Sequence, residues 1–249
     1  MLPLTTPDSL RIGLIIQARI ASARLPGKAL LPLPLGKGAT LLDHVLRRAG
    51  RVRAARTIVV ALPSSRANDP LAEAATQAGA IVFRGADEDV LARFVEAATS
   101  NQLDVVVRLT GDNPAIDPTF IDEAVYAHVA VGADYTTTTG LPLGMNVEVV
   151  NVSALLIANH QATDPFEREH VTPFLRRRPD RFRLHTLPLA SSPEVSHIRL
   201  TVDYPTDYAL HHILYSMLER DFGLQDVLSL FAQYPWLCQI NSSNEQITS

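Results

Sequence analysis

Three cations follow a short apolar run near the start of the chain. The run Ile12 to Ile16 gives way to Arg19, Arg24 and Lys28. Small residues lie between the cations, and a Pro26-Gly27 pair precedes the lysine. Small side chains let backbone N–H groups approach anionic oxygens, and the cations add charge-assisted hydrogen bonds. Because proline fixes φ and glycine allows a positive φ, a stiff turn presents Lys28. The segment therefore predicts a phosphate-binding loop at the end of a buried strand.

Two common glycine-rich phosphate motifs do not fit this loop. A Walker A motif ending at Gly27-Lys28 needs glycine at position 22 and Ser or Thr at position 29, where the chain has Ser22 and Ala29. A dinucleotide-binding fingerprint needs three glycines directly after the first strand, and none lies between Gly13 and Gly27. P-loop NTPases and dinucleotide-binding dehydrogenases are therefore excluded, and a solvated basic loop remains the alternative.

Two aspartates stand where a divalent cation could be held. Asp112 follows the strand-like run 104–109, and Asp203 follows a strand expected over 198–202. Mg²⁺ prefers oxygen ligands and commonly takes one or two carboxylates, with phosphate oxygens and water completing its shell. The alternatives are an Asx-turn with Pro114 for Asp112 and a helix N-cap for Asp203. In combination with the phosphate-binding loop, the pair favours a magnesium site.

The segment Gln17 to Lys28 resembles the signature of the cytidylyltransferases that make CMP-activated acidic sugars. Within that family the likeness is greatest to the branch called spore coat polysaccharide biosynthesis protein F, and it covers roughly residues 11–215. The other matching segments, in chain order, are Asn68–Leu71, Phe83–Gly85, Asp89–Leu91, Val107–Pro114, Asn146–Val149, Glu167–Pro173 and Leu200–Asp207.

The resemblance implies an enzyme, a CTP-dependent nucleotidyltransferase. Its substrates would be CTP and an acidic sugar or similar anionic acceptor, and its products a CMP-sugar for cell-surface polysaccharide biosynthesis and pyrophosphate. Mg²⁺ would be the cofactor, held by Asp112 and Asp203. Arg19, Lys28 and Asp112 would be the catalytic residues.

The nucleotide is expected to lie along the phosphate-binding loop. Arg19 and Lys28 match the family's triphosphate-binding positions, and Arg24 is a third candidate. Backbone groups near Ala18 and the loop from Leu62 to Ser65 would read the base. The predicted nucleotide-binding residues are Ala18, Arg19, Ser22, Arg24, Lys28, Pro63, Ser64, Gly111 and Asp112.

Two departures from the family pattern bear on the substrates. Leu62-Pro63 replaces a usual Thr-Ser pair in the base-reading loop, and Asn146 replaces a usual aspartate on the acceptor side. His170 could be a general base, although a structural hydrogen bond is the favoured role. The predicted acceptor-binding residues are Arg84, Asp89, Asn146, Glu148 and His170.

Three alternatives to this function are kept. The first is a nucleotidyltransferase that uses another NTP or a phosphonate or small hydroxy-acid acceptor. The second is a glycosyltransferase-like protein that binds a nucleotide sugar, although the Asp-x-Asp motif it would need is missing at Asp112-Asn113-Pro114. The third is a catalytically silent binding subunit.

Alternating strands and helices must position these residues. Their order predicts an α/β fold with a mainly parallel sheet, in which ligands bind beyond the carboxyl ends of the strands. The resemblance adds a three-layer, Rossmann-like architecture of the nucleotide-diphospho-sugar-transferase type. A single nucleotidyltransferase domain is expected over residues 1–249, with about 151–190 as an acceptor and dimerisation subregion.

Periodicity and capping residues predict the boundaries of the elements. Strands are expected at 12–16, 57–62, 80–83, 104–109, 134–139, 145–150, 182–187 and 197–202. Helices are expected at 41–49, 71–77, 118–131, 167–170, 204–220 and 224–234, with others beginning near Val152 and at the acidic turn Asp87, Glu88 and Asp89.

The composition indicates a globular cytoplasmic protein. Of its 249 residues 47% are hydrophobic, and no apolar run approaches the roughly 20 residues of a membrane span. The N-terminal residues lack the basic and apolar regions of a secretory signal, and a single cysteine, Cys238, fits a reducing compartment. The net charge of −4 argues against a nucleic-acid partner. A homodimer is expected, because homodimers are the commonest assembly.

Overall fold

Seven strands form one sheet in the computed structural model, which describes residues 10–36, 38–189, 195, 197–219 and 221–245. The strands are β1 (Ile12–Gln17), β2 (Thr57–Pro63), β3 (Ile81–Gly85), β4 (Val105–Thr110), β5 (Tyr135–Thr139), β6 (Glu148–Asn151) and β7 (Leu184–Pro188). Their order across the sheet is β3-β2-β1-β4-β6-β5-β7. Strand β6 runs antiparallel to β4 and β5, and the other neighbouring pairs are parallel. The predicted mainly parallel sheet is confirmed.

Helices cover both faces of this sheet. They are α1 (Leu41–Ala49), α2 (Asp69–Gln77), α3 (Val90–Ser100), α4 (Pro118–Val131), α5 (Val152–Gln161), α6 (Pro165–His170), α7 (Pro173–Arg176), α8 (Pro205–Met217) and α9 (Leu224–Gln233). One buried cluster joins the sheet to α1, α2, α4, α8 and α9. A second joins the other face to α3, α5 and α7. The two clusters confirm the three-layer α/β architecture.

The sequence of β1 is almost entirely apolar because both faces of the strand are buried. Leu14 and Ile16 pack into one cluster and Ile15 into the other, and none of the three is exposed. A parallel strand with helices on both faces has no solvent-facing side, so both of its residue sets are apolar. Burying each such side chain contributes roughly 2 kcal/mol. Within β1, only Gln17, the last residue of the strand, is partly exposed.

The acidic turn before α3 differs from the prediction. Asp87, Glu88 and Asp89 were expected inside the first helical turn, but the helix begins at Val90. Asp89 is instead its N-cap, and its side chain accepts a hydrogen bond from the Ala92 N–H at 3.0 Å. Aspartate is a preferred N-cap because its oxygen satisfies an N–H that has no partner within the helix.

The strand predicted at 197–202 does not form in the described residues. Its backbone is extended, but it bonds to two different segments: the Leu200 N–H donates to the Leu143 carbonyl and the Val202 N–H to the Asp112 carbonyl. Gly144 permits the first contact, since a Cβ there would lie 2.7 Å from the Leu200 backbone. Because no single neighbour runs alongside, the segment leading to Asp203 makes only an isolated bridge, with Leu143.

The strand predicted at 145–150 begins later, at Glu148. The Met145 N–H bonds to the Pro142 carbonyl, so a turn occupies the start of the predicted range. Asn146 therefore precedes β6 and is not part of it. Among the described residues, no helix combines the length and apolarity that a membrane span requires.

Candidate active site

A cleft of about 860 Å³ opens at the carboxyl edge of the sheet, between the loop after β1, the N-terminal end of α3 and helix α6. The predicted residues that line it are Ala18, Arg19, Ser22, Arg24, Lys28, Asp89, Gly111, Asp112, His170 and Asp203. The predicted residues outside its lining are Pro63, Ser64, Arg84, Asn146 and Glu148. The structure thus brings together the phosphate-binding loop and both predicted metal ligands.

The turn that presents Lys28 has the predicted geometry. Gly27 has φ 68° and ψ 14°, a left-handed conformation that side chains rarely adopt. The Gly27 N–H donates to the Ile20 carbonyl at 3.3 Å, and a short 3-10 helix, Lys28–Leu30, follows. The turn therefore fixes the backbone from which the lysine side chain extends.

The Lys28 ammonium joins the two aspartates. It donates to Asp112 Oδ2 at 2.9 Å, to Asp203 Oδ1 at 2.9 Å and to the Val202 carbonyl at 2.8 Å. These three bonds use all three of its N–H donors. Because Asp112 Oδ2 and Asp203 Oδ1 both lie 2.9 Å from the Lys28 nitrogen, these two oxygens are separated by no more than twice that distance.

Burial and charge act in opposite directions on this group of residues. Burial alone would lower the pKa of Lys28, but the charges of Asp112 and Asp203 raise it above its usual value. Burial would raise the pKa of Asp112, but the Lys28 charge and the Thr110 hydroxyl hold it below its usual value. The pair is therefore ionised at neutral pH.

The two aspartates lie on segments that are joined directly. The Val202 N–H donates to the Asp112 carbonyl at 2.9 Å. Neither alternative role is found: the N-cap of α8 is Tyr204, not Asp203, and the Asp112 carboxylate accepts from Lys28 and Thr110. Both carboxylates are thus available as oxygen donors at one edge of the cleft.

The donor set suits a divalent cation that also contacts a ligand. Within the described residues, no group of three or more His, Cys, Asp or Glu side chains could hold a metal ion. Asp112 and Asp203 supply two carboxylates, which is the number Mg²⁺ commonly takes when phosphate and water complete its shell. The Lys28 ammonium already bonds to oxygens of both residues, so this arrangement accepts a cation.

Two arginines of the loop after β1, Arg24 and Arg19, differ in how free they are to bind a ligand. Arg24 pairs with Asp203 Oδ1 at 3.1 Å and lies over the Tyr204 ring, 4.6 Å from its centroid. Arg19 is exposed and, in the part of the chain the structure describes, has no hydrogen bond or ion pair. Buried Arg93 of α3 also lines the cleft; burial and the Arg19 charge lower the pKa of Arg93, against the raising effect of the Asp87 and Asp89 charges. Because no acidic side chain among the described residues pairs with Arg19, its guanidinium can attract an anion.

Helix α6 meets the start of α3. Arg168 binds Asp89 Oδ2 through Nε at 2.7 Å and also donates to the Asn159 and Ala162 carbonyls. Asp89 is therefore part of an internal ion pair, although it lines the cleft. His170 lies beside it with its ring 4.5 Å from that of Phe166. Burial lowers the pKa of His170, which favours the neutral imidazole.

A strained turn follows His170. Val171 has φ 71°, which is rare for a β-branched residue, and the Thr172 N–H donates to the His170 carbonyl at 2.8 Å. This turn ends α6 at the cleft and brings the Thr172 hydroxyl to Glu148 Oε1 at 2.8 Å. Strained conformations of this kind persist where surrounding contacts hold them, often at functional sites.

Glu148 lies beneath the cleft and is fully engaged. Arg108 pairs with its Oε2 at 2.5 Å, and the Tyr135 and Thr172 hydroxyls donate to its Oε1. Burial would raise the pKa of Glu148, but the Arg108 charge holds it below its usual value. Its carboxylate is thus directed at protein groups, with Arg108 also bonding to Gln17 in the cleft wall.

The remaining predicted residues also bond elsewhere. Arg84 pairs with Asp69 at 2.6 Å, and the Asn146 amide lies 3.5 Å from the Pro142 carbonyl. The Ser64 hydroxyl donates to Asp87 at 3.0 Å. Pro63 lies within β2, opposite Gly85 of β3.

Sequence reasoning missed several residues of the site. Gln17 and Arg168 line the cleft but were not among the predicted binding residues. Arg199 and Asp207 do not line it, yet they contact Asp203 and its backbone.

Comparison with known proteins gives matches over nearly the whole chain. The model of the cytidylyltransferase family matches residues 14–231. The spore coat polysaccharide biosynthesis protein SpsF of Bacillus subtilis is 37% identical over 225 residues, 89% of this chain and 94% of that protein. A cytidylyltransferase structure from Leptospira borgpetersenii has a TM-score of 0.85 at 29% identity and covers 96% of this chain and 100% of its own. A 3-deoxy-manno-octulosonate cytidylyltransferase of Geobacter sulfurreducens is 34% identical over 118 residues, 47% of this chain and 44% of that enzyme.

Proposed function

Because this chain belongs to the cytidylyltransferase family, we propose that it transfers a CMP group from CTP to a hydroxyl of an acidic sugar. The acceptor hydroxyl oxygen bonds to the α-phosphorus and gives up its proton to water, while the bond between that phosphorus and the bridging oxygen breaks and pyrophosphate leaves. The observation that carries the proposal is the convergence of Lys28, Asp112 and Asp203 beside the phosphate-binding loop.

The triphosphate is proposed to lie along residues 18–28. Arg19 has no competing ion pair among the described residues, so its guanidinium can take two phosphate oxygens at once. Lys28 acts as a point charge on a flexible stem, and its hydrogen bonds can pass from the aspartates to the β- and γ-phosphates. Both cations would then stabilise the charge that collects on the leaving pyrophosphate.

We propose Mg²⁺ as the cofactor, with Asp112 and Asp203 as its protein ligands. When bound, a divalent cation neutralises charge on the triphosphate oxygens and orients them. The chain contributes two carboxylates on segments that a backbone hydrogen bond holds together, so their spacing is fixed before the ligand arrives. Such preorganisation lowers the entropic cost of assembling the site.

An acidic acceptor fits the other end of the cleft. Arg93 is 3% exposed and lines the cleft, and no acidic side chain forms an ion pair with it among the described residues. An acceptor carboxylate near Arg93 would supply a counter-charge to a guanidinium whose pKa is lowered by burial and by the Arg19 charge. The relative whose name includes 3-deoxy-manno-octulosonate acts on a sugar acid, which supports the same class of acceptor here.

Pyrophosphate release tests the proposal. Each of the four NTPs is supplied with Mg²⁺ and a panel of sugar acids, and every acid is paired with its carboxamide analogue. We expect release with CTP and at least one acid, and a much lower rate with the matching carboxamide. Equal rates with another NTP would favour the alternative nucleotide, and equal rates with the carboxamide would remove the acidic acceptor.

Assembly remains a prediction. The homodimer through about residues 151–190 can be checked by sedimentation equilibrium of the full chain. If the protein is a monomer at concentrations where it is active, the predicted homodimer is wrong.

A further inference from the structure

Two different sets of residues hold the carboxylate of Asp203. Its Oδ1 accepts from Lys28 at 2.9 Å and pairs with Arg24 at 3.1 Å, and both of these cations line the cleft. Its Oδ2 accepts from Arg199 Nη2 at 2.9 Å. Arg199 is 7% exposed and does not line the cleft. A ligand can therefore replace the partners of Oδ1, whereas the partner of Oδ2 is enclosed by protein.

Arg199 is itself held at two points. Its Nε donates to Asp207 Oδ1 at 2.9 Å and its Nη2 to Asp207 Oδ2 at 3.1 Å. Asp207 is fully buried and also accepts from the backbone N–H groups of Asp203 and Tyr204 at 2.9 Å each. The same carboxylate thus fixes both the guanidinium and the backbone that carries Asp203.

The backbone of Arg199 is fixed as well. Its carbonyl accepts from the buried Asn241 amide at 3.0 Å, and the residue bridges to Leu143. The Asn241 amide also donates to Asp207 Oδ1 at 2.9 Å. Asn241, which lies more than 30 positions away in the sequence, therefore helps to fix both Arg199 and the aspartate that binds its guanidinium.

A buried ion pair of this kind is better explained by geometry than by stability. Replacing such a pair with apolar residues of similar volume is often neutral or stabilising, because desolvation cancels much of the attraction. A carboxylate held at one oxygen, however, loses less rotational freedom when its other oxygen takes a ligand. The Arg199–Asp207 pair does this for Asp203.

We propose that Arg199 is a positioning residue for the metal site, which holds Oδ2 of Asp203 so that Oδ1 stays directed at the cleft. The inference rests on the proposed function, in which Asp203 is a metal ligand. Groups that orient a ligating side chain typically contribute about 10- to 100-fold to metal affinity. Arg199 is such a group, because it orients the side chain of Asp203.

Mn²⁺ binding measured by electron paramagnetic resonance tests the inference without turnover. Mn²⁺ is titrated into the full chain with α,β-methylene-CTP present, for wild type, Arg199→Met and Arg199→Lys. We expect Arg199→Met to bind Mn²⁺ about 10- to 100-fold more weakly than wild type. Arg199→Lys should recover only part of the loss, because one ammonium cannot reproduce the fork that contacts both aspartates. Binding of the analogue without metal should change little.

A matched control separates positioning from folding. Arg178 pairs with buried Glu167 at 2.8 Å, and neither residue lines the cleft. Arg178→Met should lower the unfolding temperature without changing Mn²⁺ affinity. If a purely structural effect explained Arg199, the two methionine variants would behave alike.

The outcomes distinguish this inference from the proposed function. Unchanged Mn²⁺ affinity in Asp203→Asn would remove Asp203 as a metal ligand, and the proposed function would lose its metal site. Weakened affinity in Asp203→Asn, with wild-type affinity in both Arg199 variants, would overturn the positioning role alone. If Arg199→Met does not fold, Arg199→Lys decides, since wild-type affinity in that variant would also overturn it.

Discussion

The two ends of the cleft are built in different ways. At the proposed nucleotide end, Lys28, Asp112 and Asp203 come from three segments at the sheet edge, and the lysine bonds directly to both carboxylates. At the proposed acceptor end, Asp89 and His170 come from the ends of helices, and the Asp89 carboxylate is taken up by Arg168. The first group is a connected set of charges, and the second leaves few side chains free for a ligand.

This difference follows from how each end is supported. Strand β4 ends two residues before Asp112, and a backbone hydrogen bond ties that residue to the segment carrying Asp203. Helix α6 has only six residues and ends at a strained turn, so its position depends on side-chain packing. We therefore expect substitutions at the nucleotide end to act on chemistry, and those at the acceptor end to act first on stability or acceptor affinity.

Asp112→Asn should give the largest effect. The substitution keeps the shape of the side chain but removes the charge that holds Lys28 and, in the proposal, the metal. We expect kcat/KM for pyrophosphate release to fall by about 10³-fold, or about 4 kcal/mol of barrier. Asp180→Asn, at an exposed residue outside the cleft lining, is the control and should keep wild-type activity. Wild-type turnover in Asp112→Asn would contradict the assignment.

Glu148→Gln should act on folding more than on catalysis. It leaves the partly buried Arg108 without its counter-charge, which costs at most about 3 kcal/mol. We expect urea denaturation to show this loss, with little change in the KM for CTP. Glu167→Gln, which also removes a buried partner of an arginine, provides the comparison. A large rise in acceptor KM without a loss of stability would instead support direct acceptor binding by Glu148.

Lys28→Ala should separate two roles of one side chain. Turnover should fall by about 10²-fold, because the charge on the triphosphate is lost. Divalent cations should bind the nucleotide-free protein more tightly, since the ammonium no longer occupies oxygens of both aspartates. Mn²⁺ titration without nucleotide measures the second effect, and Lys28→Arg is the charge-retaining comparison. Weaker Mn²⁺ binding in Lys28→Ala would show that the lysine does not compete with the metal.

His211, which lies next to Asp207, should give a smaller effect, a dependence of folding stability on pH. It is fully buried on α8, bonds to the Asp207 carbonyl, and burial lowers its pKa to about 4. Because the unfolded value is about 6.5, the unfolded chain binds a proton that the folded protein does not, and stability falls as pH drops between these values.

The size of this effect can be measured by denaturation at two pH values. Wild type should lose about 2 kcal/mol of unfolding free energy between pH 7 and pH 5 that His211→Gln retains. His160→Gln, at an exposed histidine of α5, should behave like wild type. Equal pH dependence in all three proteins would show that His211 does not titrate in this way.

The nucleotide end was largely predictable because its geometry is local. The apolar run of β1, the positive φ of Gly27 and the position of Asp112 after β4 each follow from residues adjacent in sequence. Their convergence follows from the rule that parallel strands present their carboxyl ends at one edge. These features could be inferred before any contact was known.

The rest depended on pairings that the sequence does not specify. Glu148 was predicted to face an acceptor, but the antiparallel register of β6 places it opposite Arg108. The segment 198–202 has the composition of a strand, yet it bonds to two partners that only the tertiary fold brings near. Arg199 and Asp207 were missed for the same reason, since their burial depends on packing by residues as distant as Asn241.

A crystal structure with CTP and Mg²⁺ would show whether these residues form the active site. We expect a triphosphate along residues 18–28, contacts from Arg19 and Lys28, and one metal ion bound by Asp112 and Asp203. A triphosphate bound elsewhere, or a metal ion that contacts neither aspartate, would contradict this assignment.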